Sequence, residues 1–214
     1  MTALVDNDVI FKGACYGLIG ELLGPVCGED QPVGVLGAAK FVVSKKVAKT
    51  AINKSRDTVL HNLEQFLRRA LAIEPTEAER TIAAELELAA LNSGVSLDAG
   101  ESQLCAVLIE RAIPWLLTGD KRAIRAIEQL LNSYGRLIAA SGKVKCLEQL
   151  ALAAIPDAAK ASSFREKVCA EAHIDRTLAI CFSCTLAGIK GNYATGLESY
   201  IGHLRKQAER VLSL

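Results

Sequence analysis

Short apolar runs that end in a carboxylate and lead straight into a helical pattern are what most constrain this chain. Leu4-Val5-Asp6-Asn7-Asp8-Val9-Ile10 stands near the N-terminus and Trp115-Leu116-Leu117-Thr118-Gly119-Asp120 in the middle. Between them, Leu97-Asp98-Ala99-Gly100-Glu101 opens another helix. Acids at the carboxyl ends of buried strands converge in the crevice where open α/β sheets bind ligands. Three or four carboxylates meeting there repel one another unless a divalent cation sits among them. The pattern therefore predicts a magnesium or manganese site and, with it, phosphodiester chemistry.

The 214 residues suffice for one large domain, or for a domain with a helical appendage. Half of them are apolar and aromatics are few, so Ala, Leu, Ile and Val must build the core. Strands are expected over 2–6, 114–118 and 144–147, and helices over 9–23, 44–72, 75–91, 99–112, 120–131 and 147–154. Gly24-Pro25 is read as the stop of the first helix, and Asp98 as the N-cap of the one at 99. Residues 33–43 suit either a strand or a helix start, and 28–32 reads as a turn. Beyond Pro156 the pattern is helical almost to the end, with a break near 188–192. Strand–helix alternation thus fills 1–155, and 156–214 is expected as a helical extension on that core or as part of one single domain.

At these residues the chain resembles the PIN domain, a compact α/β fold of metal-dependent ribonucleases that includes many toxin–antitoxin toxins. Val5-Asp6-Asn7-Asp8-Val9-Ile10 is similar to the family's opening motif. Gly100-Glu101-Ser102-Gln103-Leu104-Cys105-Ala106 resembles the Gly-Glu-led helix that supplies a mid-chain acid in one branch. Leu117-Thr118-Gly119-Asp120-Lys121-Arg122-Ala123 resembles the later strand end that closes the acidic cluster. The resemblance implies a three-layer α/β domain with a small parallel sheet, here with an enlarged, mostly helical C-terminal part. It implies Asp6, Glu101 and Asp120 as catalytic, metal-holding acids, Asp8 as a further metal ligand, and Thr118 as a polar neighbour. One departure is plain: Lys40-Phe41-Val42-Val43-Ser44-Lys45-Lys46, where the family places another acid, contains none. The function implied is divalent-metal-dependent RNA hydrolysis in a toxin or defence setting. The alternative is a catalytically inactive PIN-like scaffold that binds RNA or a protein partner such as an antitoxin, and either reading allows a homodimer.

The net charge of +1 hides a split. From Gln31 to Arg56 lie Lys40, Lys45, Lys46, Lys49, Lys54 and Arg56 with no acid, while acids dominate from Glu74 to Glu110. Lys45, Lys46 and Lys49 are the expected contacts to an RNA backbone. Seven cysteines in no framework suit reduced thiols, and the N-terminus lacks the form of a signal peptide. No apolar stretch is long enough for a bilayer span, so the chain is expected in the cytoplasm with no membrane partner. Cys169, His173, Cys181 and Cys184 raise a zinc or redox role, which a continuous helix excludes unless it breaks near Ile174-Asp175.

Overall fold

The computed structural model describes residues 1–28, 31–184 and 192–214. The chain is α/β, with five short parallel strands in the order β3-β2-β1-β4-β5. These are β1 (Ala3–Val5), β2 (Gly34–Leu36), β3 (Leu71–Ile73), β4 (Trp115–Thr118) and β5 (Val144–Cys146). Side chains alternate across the sheet. Ala3, Val5 and Leu117 enter one apolar cluster and Leu4 and Leu116 the other, as the two-residue period of a strand requires. Both faces are therefore covered by helices, which is why the central strands read as unbroken apolar runs.

On the first face pack α1 (Asn7–Tyr16), α2 (Ile19–Cys27), α3 (Ala39–Lys49), α4 (Arg56–Leu67) and α8 (Leu147–Ala153). They are joined there by α9 (Ala158–Ala170), α10 (Arg176–Cys181) and α11 (Tyr193–Arg205), which insert Phe164, Val168, Leu178 and Leu197 into the same cluster as Val5. On the second face lie α5 (Glu77–Asn92), α6 (Ala99–Glu110), α7 (Lys121–Leu130) and a 3-10 turn at Gly135–Ala140. The last residues return to the sheet: the Ser213 N–H donates to Val144 O at 2.8 Å, and Leu212 bridges Val144 beside β5. An exposed strand edge is covered in this way.

The strands at 2–6, 114–118 and 144–147 stand where the sequence predicts them, as do the helices from 99, 120 and 147. The helix expected over 9–23 is two helices. Gly17 adopts φ +67°, and the Leu18 N–H closes back on Gly13 O at 2.9 Å, the left-handed C-terminal turn that glycine permits. Pro25 does not stop α2, which runs to Cys27 with Leu22, Leu23 and Cys27 buried. The span 44–72 divides into the end of α3, a turn, α4 and β3. At the expected turn over 28–32 the Gln31 N–H donates to Gly28 O at 3.3 Å, residues 29 and 30 lying outside the described ones; the expected break near 188–192 falls largely outside them. None of the described helices is long and apolar enough to cross a membrane.

Candidate functional site

The strand order reverses between β1 and β4, and in open sheets of this kind the ligand crevice lies beyond the carboxyl ends of those strands. Asp6 follows β1 and Thr118 ends β4. Thr118 Oγ1 donates to Asp6 Oδ2 at 3.0 Å and accepts the Asp120 N–H at 3.1 Å. A small cavity here is lined by Asp6, Glu101, Leu104, Leu116, Thr118, Ala123 and Ile127. Asp6 and Glu101, distant in sequence, thus face one space.

Their electrostatics follow from that burial. Asp6 is 8% exposed. Burial, with the charge of Asp8 added, pushes its carboxyl up to about 6, against the pull of the Thr118 hydroxyl and the Asn7 N–H. Glu101 is pushed up to about 7, again chiefly by burial, with Asp98, Asp120 and Asp6 contributing repulsion. Asp120 behaves differently. Burial opposes its charge, yet hydrogen bonds from Arg122 hold its carboxyl below the usual range. It also caps α7 by accepting the Arg122 N–H at 2.7 Å.

The four expected metal ligands are not gathered into one shell. Among the described residues, no group of three or more His, Cys, Asp or Glu stands close enough to hold a metal ion. Asp8 is committed elsewhere, its Oδ2 lying 2.6 Å from Lys12 Nζ and its Oδ1 3.0 Å from Lys46 Nζ. Asp120 is held by Arg122 and the first amides of α7. Asp98 and Glu101 form a reciprocal cap on α6, yet Glu101 still reaches the cavity. What remains is a pair, Asp6 and Glu101, with a threonine hydroxyl beside them. That donor set fits magnesium, a hard cation commonly held by one or two carboxylates, its other positions left to water and phosphate.

Several residues at this edge carry little sequence signal. Lys12 Nζ also lies 2.7 Å from Asp175 Oδ2. Lys121 pairs with the buried Glu148 at 2.6 Å and donates to Thr177 Oγ1 at 3.3 Å. Two lysines thereby tie the strand ends to α10. The Asp8–Lys12 spacing of four on one helix was a readable clue to the first pair. Asp175 offered none, because only the fold brings it near.

Lys45, Lys46 and Lys49 are exposed on α3, and Lys46 reaches Asp8. Lys46 lies 4.5 Å above the Phe11 ring as well as against Asp8, while Lys45 and Lys49 have no partner among the described residues. A larger groove between α3 and α4 is lined by Lys40, Val47, Arg56, Leu60, Leu63 and Glu64. Its floor is apolar and Glu64 is its one acid, so it gathers no pair of carboxylates.

The cysteines correct two expectations. Cys169 and Cys184 form a disulfide, so the thiols are not all reduced, and that bond removes two of the four residues considered for zinc. The helix does break, between the end of α9 at Ala170 and the start of α10 at Arg176, which lets Cys184 return to Cys169. His173 meanwhile bonds the Ala51 carbonyl.

The chain matches no protein-family model and no curated protein. Among solved structures it is similar to a chain of VapBC2 from Rickettsia felis, crystallised bound to a DNA fragment from its promoter. The two share 15% identity at a TM-score of 0.43, over 56% of this chain and 89% of the other. A likeness so loose leaves the reading of function to the side chains.

Proposed function

We propose that this chain is a divalent-metal-dependent ribonuclease, hydrolysing RNA phosphodiester bonds at the crevice between β1 and β4. The observation that carries this reading is the cavity shared by Asp6, which is buried, and Glu101, which is half-buried, two acids pushed up to about 6 and 7 where the strand order reverses. Asp6 and Glu101 would hold the cation, and Asp120 stands within range of Glu101's charge. A magnesium or manganese ion there supplies Lewis acidity toward a phosphodiester. Asp6 is oriented by the Thr118 hydroxyl, and both carboxyls, raised in the metal-free protein, would give up their protons on taking the cation. Leu104, Leu116 and Ile127 keep bulk water from the inner wall. Lys45 and Lys49, exposed and without a partner among the described residues, offer charge for the RNA backbone.

A second reading is favoured by the lysines: an inactive scaffold that binds RNA or a protein without cutting. Lys12 and Lys46 already neutralise Asp8, which lessens the need for a cation. One experiment separates the two. A single-stranded RNA oligonucleotide is incubated with manganese and with wild type or Asp6→Asn, and the melting temperature of each protein is followed with and without the ion. The nuclease reading expects cleavage that falls about a hundredfold or more in the variant, and a manganese-induced rise in melting temperature for wild type alone. No cleavage above a protein-free control, with manganese or with chelator, and an unmoved melting temperature leave the scaffold.

A further inference from the structure

At one side of the crevice the acids face a cation that the chain carries itself. Lys12 Nζ lies 2.6 Å from Asp8 Oδ2 and 2.7 Å from Asp175 Oδ2, and its side chain is only 11% exposed. The two carboxylates come from separate elements, the first turn of α1 and the N-cap of α10. Their meeting is built into the backbone: a Cβ at Gly119, the residue after β4, would collide with the Asp8 carboxylate and crowd Lys12 Nζ. Asp175 is fixed further by accepting the Leu178 N–H at 2.9 Å. Asp175 is buried and Asp8 half-buried, with Lys46 Nζ 3.0 Å from Asp8 Oδ1; two carboxylates converging on one point require a positive charge between them. Hard oxygen donors in that arrangement are also what a divalent ion accepts.

We propose that Lys12 Nζ is a fixed, built-in cation standing where paired acids would otherwise take a second divalent ion. The crevice then binds one metal, at Asp6 and Glu101, and not two. Lys12 is a positioning residue, acting through Asp8 and Asp175. The single-metal count rests on the ribonuclease reading; the role of the lysine between its two acids does not. An ammonium cannot exchange with solvent ions, so this half of the site stays assembled whatever the metal supply.

The test is a manganese titration of wild type, Lys12→Arg and Lys12→Met, read by calorimetry and by the electron paramagnetic resonance of free manganese. The expected result is one equivalent for wild type and Lys12→Arg and two for Lys12→Met, whose melting temperature manganese raises more than it raises that of wild type. Equal stoichiometry in wild type and Lys12→Met overturns the proposal, as does a wild type that binds two ions. If wild type binds none and Lys12→Met binds one, the lysine's role stands and the metal reading of Asp6 and Glu101 falls. Should Lys12→Met not fold without manganese, Lys12→Met/Asp175→Asn decides. A folded protein that binds no second ion supports the proposal. Failure to fold overturns it, because the lysine stem and not its charge would then be what the fold needs.

Discussion

Aspartate stands at the N-cap of five described helices, and four of the five, Asp98, Asp120, Asp157 and Asp175, accept an N–H of the first turn. Asp6 does not; its side chain turns to Thr118. Forgoing a cap costs about 1 kcal/mol, and the carboxylate is buried besides, so Asp6 is placed against the interest of local stability. The pH dependence makes this measurable. With its carboxyl near 6 against an ordinary 3.8, native Asp6 keeps a proton that the unfolded chain has lost between those values. Stability from this group therefore falls as pH rises through that window, by about 3 kcal/mol once Asp6 is ionised. Asp6→Asn, which keeps an acceptor for Thr118, should match wild type near pH 3.5 and exceed it by up to that amount at pH 7.5 without metal. Urea denaturation at the two pH values checks this, and a pH-independent difference would show that burial does not raise the Asp6 carboxyl.

Helix starts in this chain were legible because the capping side chain and the first turn are neighbours in sequence. Asp98 with Glu101 and Asp120 before Lys121 are signals contained within a few residues. Asp120 is thus both a cap and a candidate acid, and the two roles separate cleanly. Asp120→Asn retains a good N-cap and loses only a charge paired with the exposed Arg122, a contact worth under about 1 kcal/mol. Its melting temperature should stay within about 2 °C of wild type, and manganese-dependent RNA cleavage should persist, because Asp120 is held by Arg122 outside the cavity that Asp6 and Glu101 share; lost cleavage would make Asp120 an acid of the site as well as a cap. The helix expected over 44–72 shows the opposite case. It is interrupted after Lys49 because Glu171, wholly buried, accepts the Asn53 and Lys54 N–H groups at 3.0 and 2.6 Å. Lys54 then reaches the Cys15 and Tyr16 carbonyls at the end of α1. No local pattern could announce a turn whose hydrogen bonds are met from the other end of the chain. β3 was hidden for a related reason: three residues, two of them exposed, become a strand only by pairing with β2.

Across the whole molecule, α9 to α11 bear on the site through the loop that the Cys169–Cys184 disulfide closes, since that loop carries Asp175 and Thr177. A closed loop of this length contributes about 3 kcal/mol by constraining the unfolded chain. Replacing both cysteines by serine should lower the urea-derived stability by about 2–3 kcal/mol, and an unchanged midpoint would show that packing of the Phe164, Phe182 and Tyr193 rings suffices. The basic segment divides in three dimensions in a way composition does not reveal. Lys54 turns inward and Lys40 stands 3.9 Å from Glu64, while Lys45 and Lys49 on α3 have no partner among the described residues. Lys45→Glu with Lys49→Glu should weaken RNA binding and reduce the slope of log affinity against log salt by about 2. An unaltered slope places the RNA on another face.

The sequence by itself determined where β1, β4 and β5 lie and where α1, α5, α6, α7 and α8 begin, because an apolar run and a capping signal are each complete within a dozen positions. It also brought forward Asp6, Glu101, Thr118 and Asp120 as the residues to look at. Only the tertiary structure decided what those side chains do: that Asp6 and Glu101 share a cavity, that Asp120 is spoken for by Arg122, and that Asp8 faces lysines. The reason is physical. Capping and hydrophobic periodicity act over one or two turns, whereas the charge state of a carboxylate is set by burial and by whichever distant groups the packed layers bring within a few ångströms.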